Sequence, residues 1–159
     1  MKNRIENLFD EFLGEDEGPR TWDWDDLFEI DDEHEFEKLL ADLWEEMGYD
    51  TRRTKATGDD GADVVAVKNG IVRSNIQKMV IEAKYQSGEN TVGADIVRGM
   101  PGAEKMHDAD MSIIVTSNIF TRDAKRTAEK LDVELVNGKK LIKRLNQSDL
   151  PPPELEFLD

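Results

Sequence analysis

The sequence predicts an α/β domain in which a mixed central β-sheet is flanked by helices. Three observations carry that expectation. Strand-like runs at 49–55, 62–67 and 78–84 are punctuated by a glycine-aspartate turn and by Asn69-Gly70, which reads as a three-stranded antiparallel meander. Later short strands alternate with helical patterns, the layout of a sheet covered on both faces. At 159 residues with no internal repeat, the chain fits one domain with appendages and is long enough to bury a sizeable core.

The first 31 residues read as an acidic extension. Ile5, Leu8, Phe9 and Phe12 recur at helical spacing ahead of Gly14, and Trp22, Trp24, Leu27 and Phe28 follow among aspartates. Such side chains can dock on something, yet the charge around them opposes DNA. Four readings are open: packing on the core, recruiting a partner, covering a basic cleft as an internal DNA mimic, or an acidic surface of the halophilic kind, whose repulsion a salt-rich cytoplasm screens. Next, Asp32 and Glu35 form a capping box for a helix over about 33–47, which Gly48 stops. Phe36, Leu39, Leu40, Leu43, Trp44 and Met47 make its buried stripe, with Glu37 at the edge of that stripe.

Beyond the meander, residues 93–109 are helical in pattern through Ile96, Val97, Met100 and Ala103, with Pro101 set to kink the helix or begin a new turn. Residues 112–116 form a short apolar strand, and Thr121 caps the helix that follows. Residues 133–136 are a further strand, Asn137-Gly138 a turn, and 139–145 a terminal helix. Pro151-Pro152-Pro153 reads as a linker-like tail that closes no core. The division is therefore an extension over 1–31, a folded domain over 32–146 and a tail over 147–159.

Composition narrows the function. With no cysteine, disulfides and thiolate metal sites are excluded, and two separated histidines, His34 and His107, argue against a zinc cluster. No signal-peptide pattern opens the sequence and no apolar run approaches the roughly 20 residues of a membrane span, so the expected location is the cytoplasm, away from membranes. The net charge of −15 conflicts with phosphate binding until it is mapped along the chain. Residues 1–51 carry 19 acidic and 4 basic side chains, whereas residues 52–144 carry 13 acidic and 17 basic. The excess negative charge is all at the front. Arg52, Arg53, Lys55, Arg98, Arg122, Lys125 and Arg126 are the candidate DNA-phosphate contacts, with Lys130 on the same helix as the last three; a solvated helix face also accounts for those four.

The stretch from Gly58 to Lys84 carries the chemistry. Residues i and i+2 of a strand share a face, so Glu82 and Lys84 stand side by side while Ile81 and Ala83 point into a core. If the two runs pair as a hairpin, Asp63 brings a second carboxylate to the same edge. Mg²⁺ takes oxygen ligands at about 2.0–2.1 Å, commonly one or two carboxylates, and keeps other positions for water and a substrate phosphate. Asp63 and Glu82 suit such a cation, Mg²⁺ or Mn²⁺, and Lys84 can orient the attacking water or balance charge on the phosphorane. A surface Glu-Lys pair beside an ordinary turn aspartate is the alternative account of these three residues.

The wider pattern is more specific. Asp63 followed by Glu82-Ala83-Lys84, behind the helix from Phe36 to Tyr49, resembles the catalytic domain of Mrr-type restriction endonucleases within the PD-(D/E)xK nucleases. The resemblance runs from about Glu35 to Leu145. Thr57-Gly58-Asp59, Gly61, Val92-Gly93, Gly102-Ala103, Ile114-Val115-Thr116-Ser117, Phe120-Thr121, Ala124 and the segment from Val133 to Gly138 fall in the family's order. Many Mrr-like proteins have Gln-x-Lys where this chain has Glu82-Ala83-Lys84, a departure that adds a carboxylate. The resemblance implies a restriction-endonuclease-like core that hydrolyses DNA phosphodiesters with a divalent metal. It also implies that Glu37, at the position of a helix glutamate that often joins the metal site, is a further ligand; a solvated glutamate is the other reading of Glu37. Competing functions are a non-catalytic or partner-dependent nucleic-acid-binding module and a Holliday-junction resolvase-like nuclease. Recognition of DNA would come from homodimerisation, a separate recognition subunit or the core itself.

Overall fold

The computed structural model describes residues 21–54, 62–68, 76–85 and 91–154. The expected helix through Ile5 to Phe12, the glycine-aspartate turn at 58–61, the Asn69-Gly70 turn, Lys55 and the last five residues lie outside these. In chain order the elements are α1 (Trp24–Phe28), α2 (Glu33–Glu46), β1 (Tyr49–Arg53), β2 (Val64–Lys68), β3 (Lys78–Lys84), α3 (Ala94–Met106), β4 (Met111–Thr116), α4 (Arg122–Leu131), β5 (Glu134–Val136) and α5 (Gly138–Gln147).

The sheet has the order β1-β2-β3-β4-β5, antiparallel across β1, β2 and β3 and parallel from β3 to β5. The meander and the mixed, helix-flanked sheet expected from sequence are both present. Alternation along the strands divides the core in two. Val64, Ile81, Ala83, Ile113 and Val115 face a layer built from Phe36, Leu40 and Trp44 of α2 with Leu141 and Leu145 of α5. On the other face, Val65, Val80 and Ile114 meet Val97 and Met100 of α3 and Ala124 and Ala128 of α4. β3 and β4 are thus buried on both faces, which explains why they read as continuous apolar runs.

Local signals account for the element ends. Asp32 Oδ1 accepts from the Glu35 amide at 2.9 Å, and Gly48 adopts φ 97°, a left-handed stop that a glycine tolerates. Thr121 Oγ1 accepts from the Ala124 amide at 3.1 Å at the start of α4. Three expectations are corrected. Met47 is 40% exposed, because α2 ends before its side chain can join the stripe. α3, which contains Pro101, ends at Met106 rather than Ala109. Asn137-Gly138 is no hairpin turn: Asn137 Oδ1 accepts from the Lys140 amide at 2.9 Å, so the pair opens α5 directly.

Segments flanking the expected 32–146 domain also join the core. Trp22 and Leu27 are buried in the α2–α5 layer, and Ile30 packs against it. The Trp22 indole N–H donates to the Leu150 carbonyl at 2.9 Å, and its backbone exchanges bonds with the Asn146 amide at 2.7 and 3.1 Å. Leu150 itself packs on the core, so the tail contributes to closing it, contrary to the sequence reading. Trp22, Leu27 and Ile30 therefore pack on the core while Trp24 and Phe28 stay 41% and 48% exposed, and α1 lies against α5.

That contact constrains Gly138. A Cβ there would stand 2.5 Å from the Trp24 ring and 2.7 Å from the Ser117 carbonyl oxygen, and the latter is backbone that cannot turn aside. Gly138→Ala should destabilise the protein by about 1–3 kcal/mol through overpacking, although alanine is ordinarily the better helix residue. Gly102→Ala, inside α3 where a Cβ meets nothing within 4 Å, is the control and should be neutral or stabilising. Denaturant unfolding of the two variants measures the difference, and equal stabilities would disprove the clash.

Candidate active site

Register creates the site. β2 and β3 pair with Val64 opposite Ile81, and the Asp63 amide donates to the Ile81 carbonyl at 2.8 Å, so Asp63 extends the ladder by one residue. Its Oδ2 then accepts from the Ala83 amide at 2.7 Å, between Glu82 and Lys84. Asp63 is thereby anchored to β3 beside both neighbours. The Lys84 ammonium lies 3.2 Å from Glu82 Oε1. Glu82 is 8% exposed, an unusual place for a carboxylate at the end of an otherwise apolar strand.

Glu37 approaches from α2. Only 9% exposed, its carboxylate lies within hydrogen-bonding reach of the Asp63 carboxyl. The Arg53 guanidinium donates to Glu37 Oε2 at 3.3 Å and to the His34 carbonyl at 3.1 Å. Thr51, two residues earlier on β1, donates to Glu45 of α2, so the same face of the edge strand meets that helix twice. Asp63, Glu82, Lys84 and Glu37 therefore lie together.

Electrostatics reflects this crowding. Burial raises the Asp63 carboxyl; the Ala83 amide opposes that rise, while Glu37 adds to it. Glu82 is pushed up to about 7, chiefly by burial and then by the Asp63 charge, with Lys84 pulling it back. Burial lowers the Lys84 pKa, but attraction to Glu82, the bond between them and attraction to Asp63 outweigh it, so the ammonium is held more firmly than usual. Buried carboxylates that repel one another form a locus a cation would relieve. Among the described residues no group of three or more acidic, histidine or cysteine side chains stands ready to hold a metal ion. The Asp63 and Glu82 oxygens fit a hard divalent ion that needs only one or two protein carboxylates.

The candidate phosphate contacts separate. Arg53 belongs to the Glu37 cluster. Arg52 alternates to the opposite side of β1 and is exposed. Arg98 pairs with Asp95 at 2.7 Å and Arg126 with Asp123 at 3.8 Å, each within its own helix. Arg122, Lys125 and Lys130 line the exposed side of α4. Sequence reasoning missed the tie from Arg53 to Glu37 and the use of the Ala83 amide. The first depends on β1 packing beside α2 and the second on pairing register, and neither leaves a residue-type signal.

A family model described as restriction endonuclease, with an Mrr-type catalytic domain, matches residues 30–145. The chain is 26% identical over 121 residues to the type IV methyl-directed restriction enzyme EcoKMrr of Escherichia coli (strain K12), covering 72% of this chain and 38% of that protein. It thus spans well under half the length of that relative. Similar folds occur in the DNA modification-dependent restriction endonuclease AspBHI, at 20% identity and TM-score 0.52, covering 70% of this chain and 30% of that one. The MspJI restriction endonuclease, solved with a 27-mer oligonucleotide, gives 17% identity and TM-score 0.51, covering 88% and 30%.

The crowded carboxylates have a measurable consequence. A carboxyl whose folded-state pKa exceeds its unfolded value binds its proton more tightly in the folded protein. Its contribution to stability is present below the unfolded value and is lost as pH rises through the folded one. For Glu82 that window runs from 4.5 to about 7, and Asp63 acts in the same direction. In chelator-treated protein, wild type should lose up to about 3 kcal/mol relative to Glu82→Gln across this window. Parallel stability profiles in denaturant would refute the burial assigned to Glu82.

Proposed function

Because the chain belongs to the restriction endonuclease family with an Mrr-type catalytic domain, we propose that it is a divalent-metal-dependent DNA endonuclease that cleaves phosphodiester bonds at Asp63, Glu82 and Lys84. The single observation that carries this reading is the bond from the Ala83 amide to Asp63, which holds one carboxylate against the strand that bears the other carboxylate and the lysine. DNA is the proposed substrate, and a second copy of the chain or a separate recognition subunit would supply contacts that the core lacks. Among the described residues no helix is long and apolar enough to cross a membrane, and we place the activity in the cytoplasm.

Mg²⁺ or Mn²⁺ held by Asp63 and Glu82 would supply Lewis-acid polarisation of a phosphoryl oxygen and an acidified water. The chain's own groups have separate tasks. Ala83 fixes one Asp63 oxygen, so the other is presented in a defined direction at little entropic cost. Lys84 holds Glu82 and remains charged, offering N–H donors to negative charge that grows on the phosphorane. Glu37, next to Asp63, is the further carboxylate available to the cation.

Asp63→Ala, Glu82→Ala and Lys84→Ala should each lower DNA cleavage by about 100-fold or more. Calorimetric Mg²⁺ titration should separate them: both carboxylate variants lose metal affinity, and the lysine variant keeps it. Wild-type cleavage by folded Glu82→Ala protein would end the assignment. Glu37→Gln should reduce cleavage severalfold at nearly unchanged stability, and an unaltered rate with unaltered Mg²⁺ affinity would remove Glu37 from the site. DNA binding by wild type with no cleavage at any metal concentration would favour the non-catalytic module.

A further inference from the structure

The Arg53 guanidinium is bound to the one carboxylate of the site that the sheet does not supply. Glu37 comes from α2, whereas Asp63, Glu82 and Lys84 all come from the β2–β3 pair. Arg53 sits opposite Val64 in the β1–β2 register, next to Asp63, and the Thr54 amide donates to the Asp63 carbonyl at 2.9 Å. It donates to Glu37 Oε2 at 3.3 Å and to the His34 carbonyl at 3.1 Å, spanning the start of α2 and the end of β1. Its side chain is 39% exposed while that of Glu37 is 11% exposed, so the cation can reach solvent and its partner cannot.

We propose that Arg53 is a positioning residue that couples DNA binding to metal loading by exchanging Glu37 for a DNA phosphate. Building on the metal-nuclease reading above, the exchange follows from two competitions. A guanidinium beside Glu37 cancels much of the charge that carboxylate would offer a cation between Asp63 and Glu82, which weakens cation binding. A DNA phosphodiester carries the same single charge as a carboxylate but presents two non-bridging oxygens to the planar fork, a bidentate contact that suits arginine, while the cation takes up the released Glu37. Once Arg53 turns to phosphate, Glu37 is left beside Asp63 with its charge uncompensated and free for the cation. DNA and metal then bind cooperatively, and the reciprocity of linked equilibria makes the coupling measurable from either ligand. A cation alone meets a weakened site, and the third carboxylate joins only when a DNA backbone lies across β1.

The test is calorimetric titration of the full chain with Ca²⁺, which takes oxygen ligands, both alone and with a short DNA duplex. Alone, Arg53→Gln should bind Ca²⁺ severalfold more tightly than wild type, and Arg53→Gln combined with Glu37→Gln should lose that gain. With duplex, wild-type Ca²⁺ affinity should rise about 5-fold or more, and this rise should shrink in Arg53→Gln. Arg53→Lys, which keeps the charge without the fork, should fall between the two and guards against an effect of folding. Unchanged or weaker Ca²⁺ binding by Arg53→Gln would overturn the exchange, as would a duplex-induced rise equal to that of wild type. Asp63→Asn distinguishes the deeper failure: Ca²⁺ binding that survives it would remove the metal centre itself, whereas its loss beside a silent Arg53→Gln would remove only the exchange.

Discussion

The pairing of β2 with β3 is the constraint on which the site depends. With Val64 opposite Ile81, Asp63 falls one residue beyond the strand and its carboxylate meets the Ala83 amide. A shift by one residue would turn Val64 and Val65 to the wrong layers and carry Asp63 away from Glu82 and Lys84. Both cores enforce the register, because Val64 is buried among α2 and α5 side chains and Val65 among those of α3 and α4. Hydrophobic burial on two faces thus fixes the position of a polar cluster at the strand ends. The penalty of holding Glu82 and Asp63 partly desolvated beside each other is carried by that same packing.

Much of this was legible because the signals are local. The apolar stripe of α2, the Asp32 cap, Gly48 and the apolar runs of β3 and β4 specify their elements through spacing and burial alone. Glu82 and Lys84 could be placed on one face because strand alternation needs no tertiary information. Asp63 required one further assumption, a hairpin, and the antiparallel pairing supplies it.

What escaped depended on contacts between distant residues. Asn137-Gly138 has the composition of a turn, yet α5 follows at once and uses Asn137 as its cap. Gly138 is needed because Trp24, more than a hundred positions earlier, lies against it. The sequence leaves core packing as one of several readings for Trp22, since its partners, Asn146 and Leu150, sit at the other end of the chain. Arg53 was read as a phosphate contact from its charge, and its link to Glu37 emerges only when β1 packs beside α2.

The central claim is that Asp63 and Glu82 form a divalent cation centre. Crystals of the full chain grown with Mn²⁺ test it most directly, by anomalous scattering at the manganese edge. The account predicts a peak within coordinating distance of both carboxylates, with the Ala83 amide still bound to Asp63. Mn²⁺ ordered elsewhere on the protein, with Lys84 still paired to Glu82 and no peak beside Asp63, would contradict it.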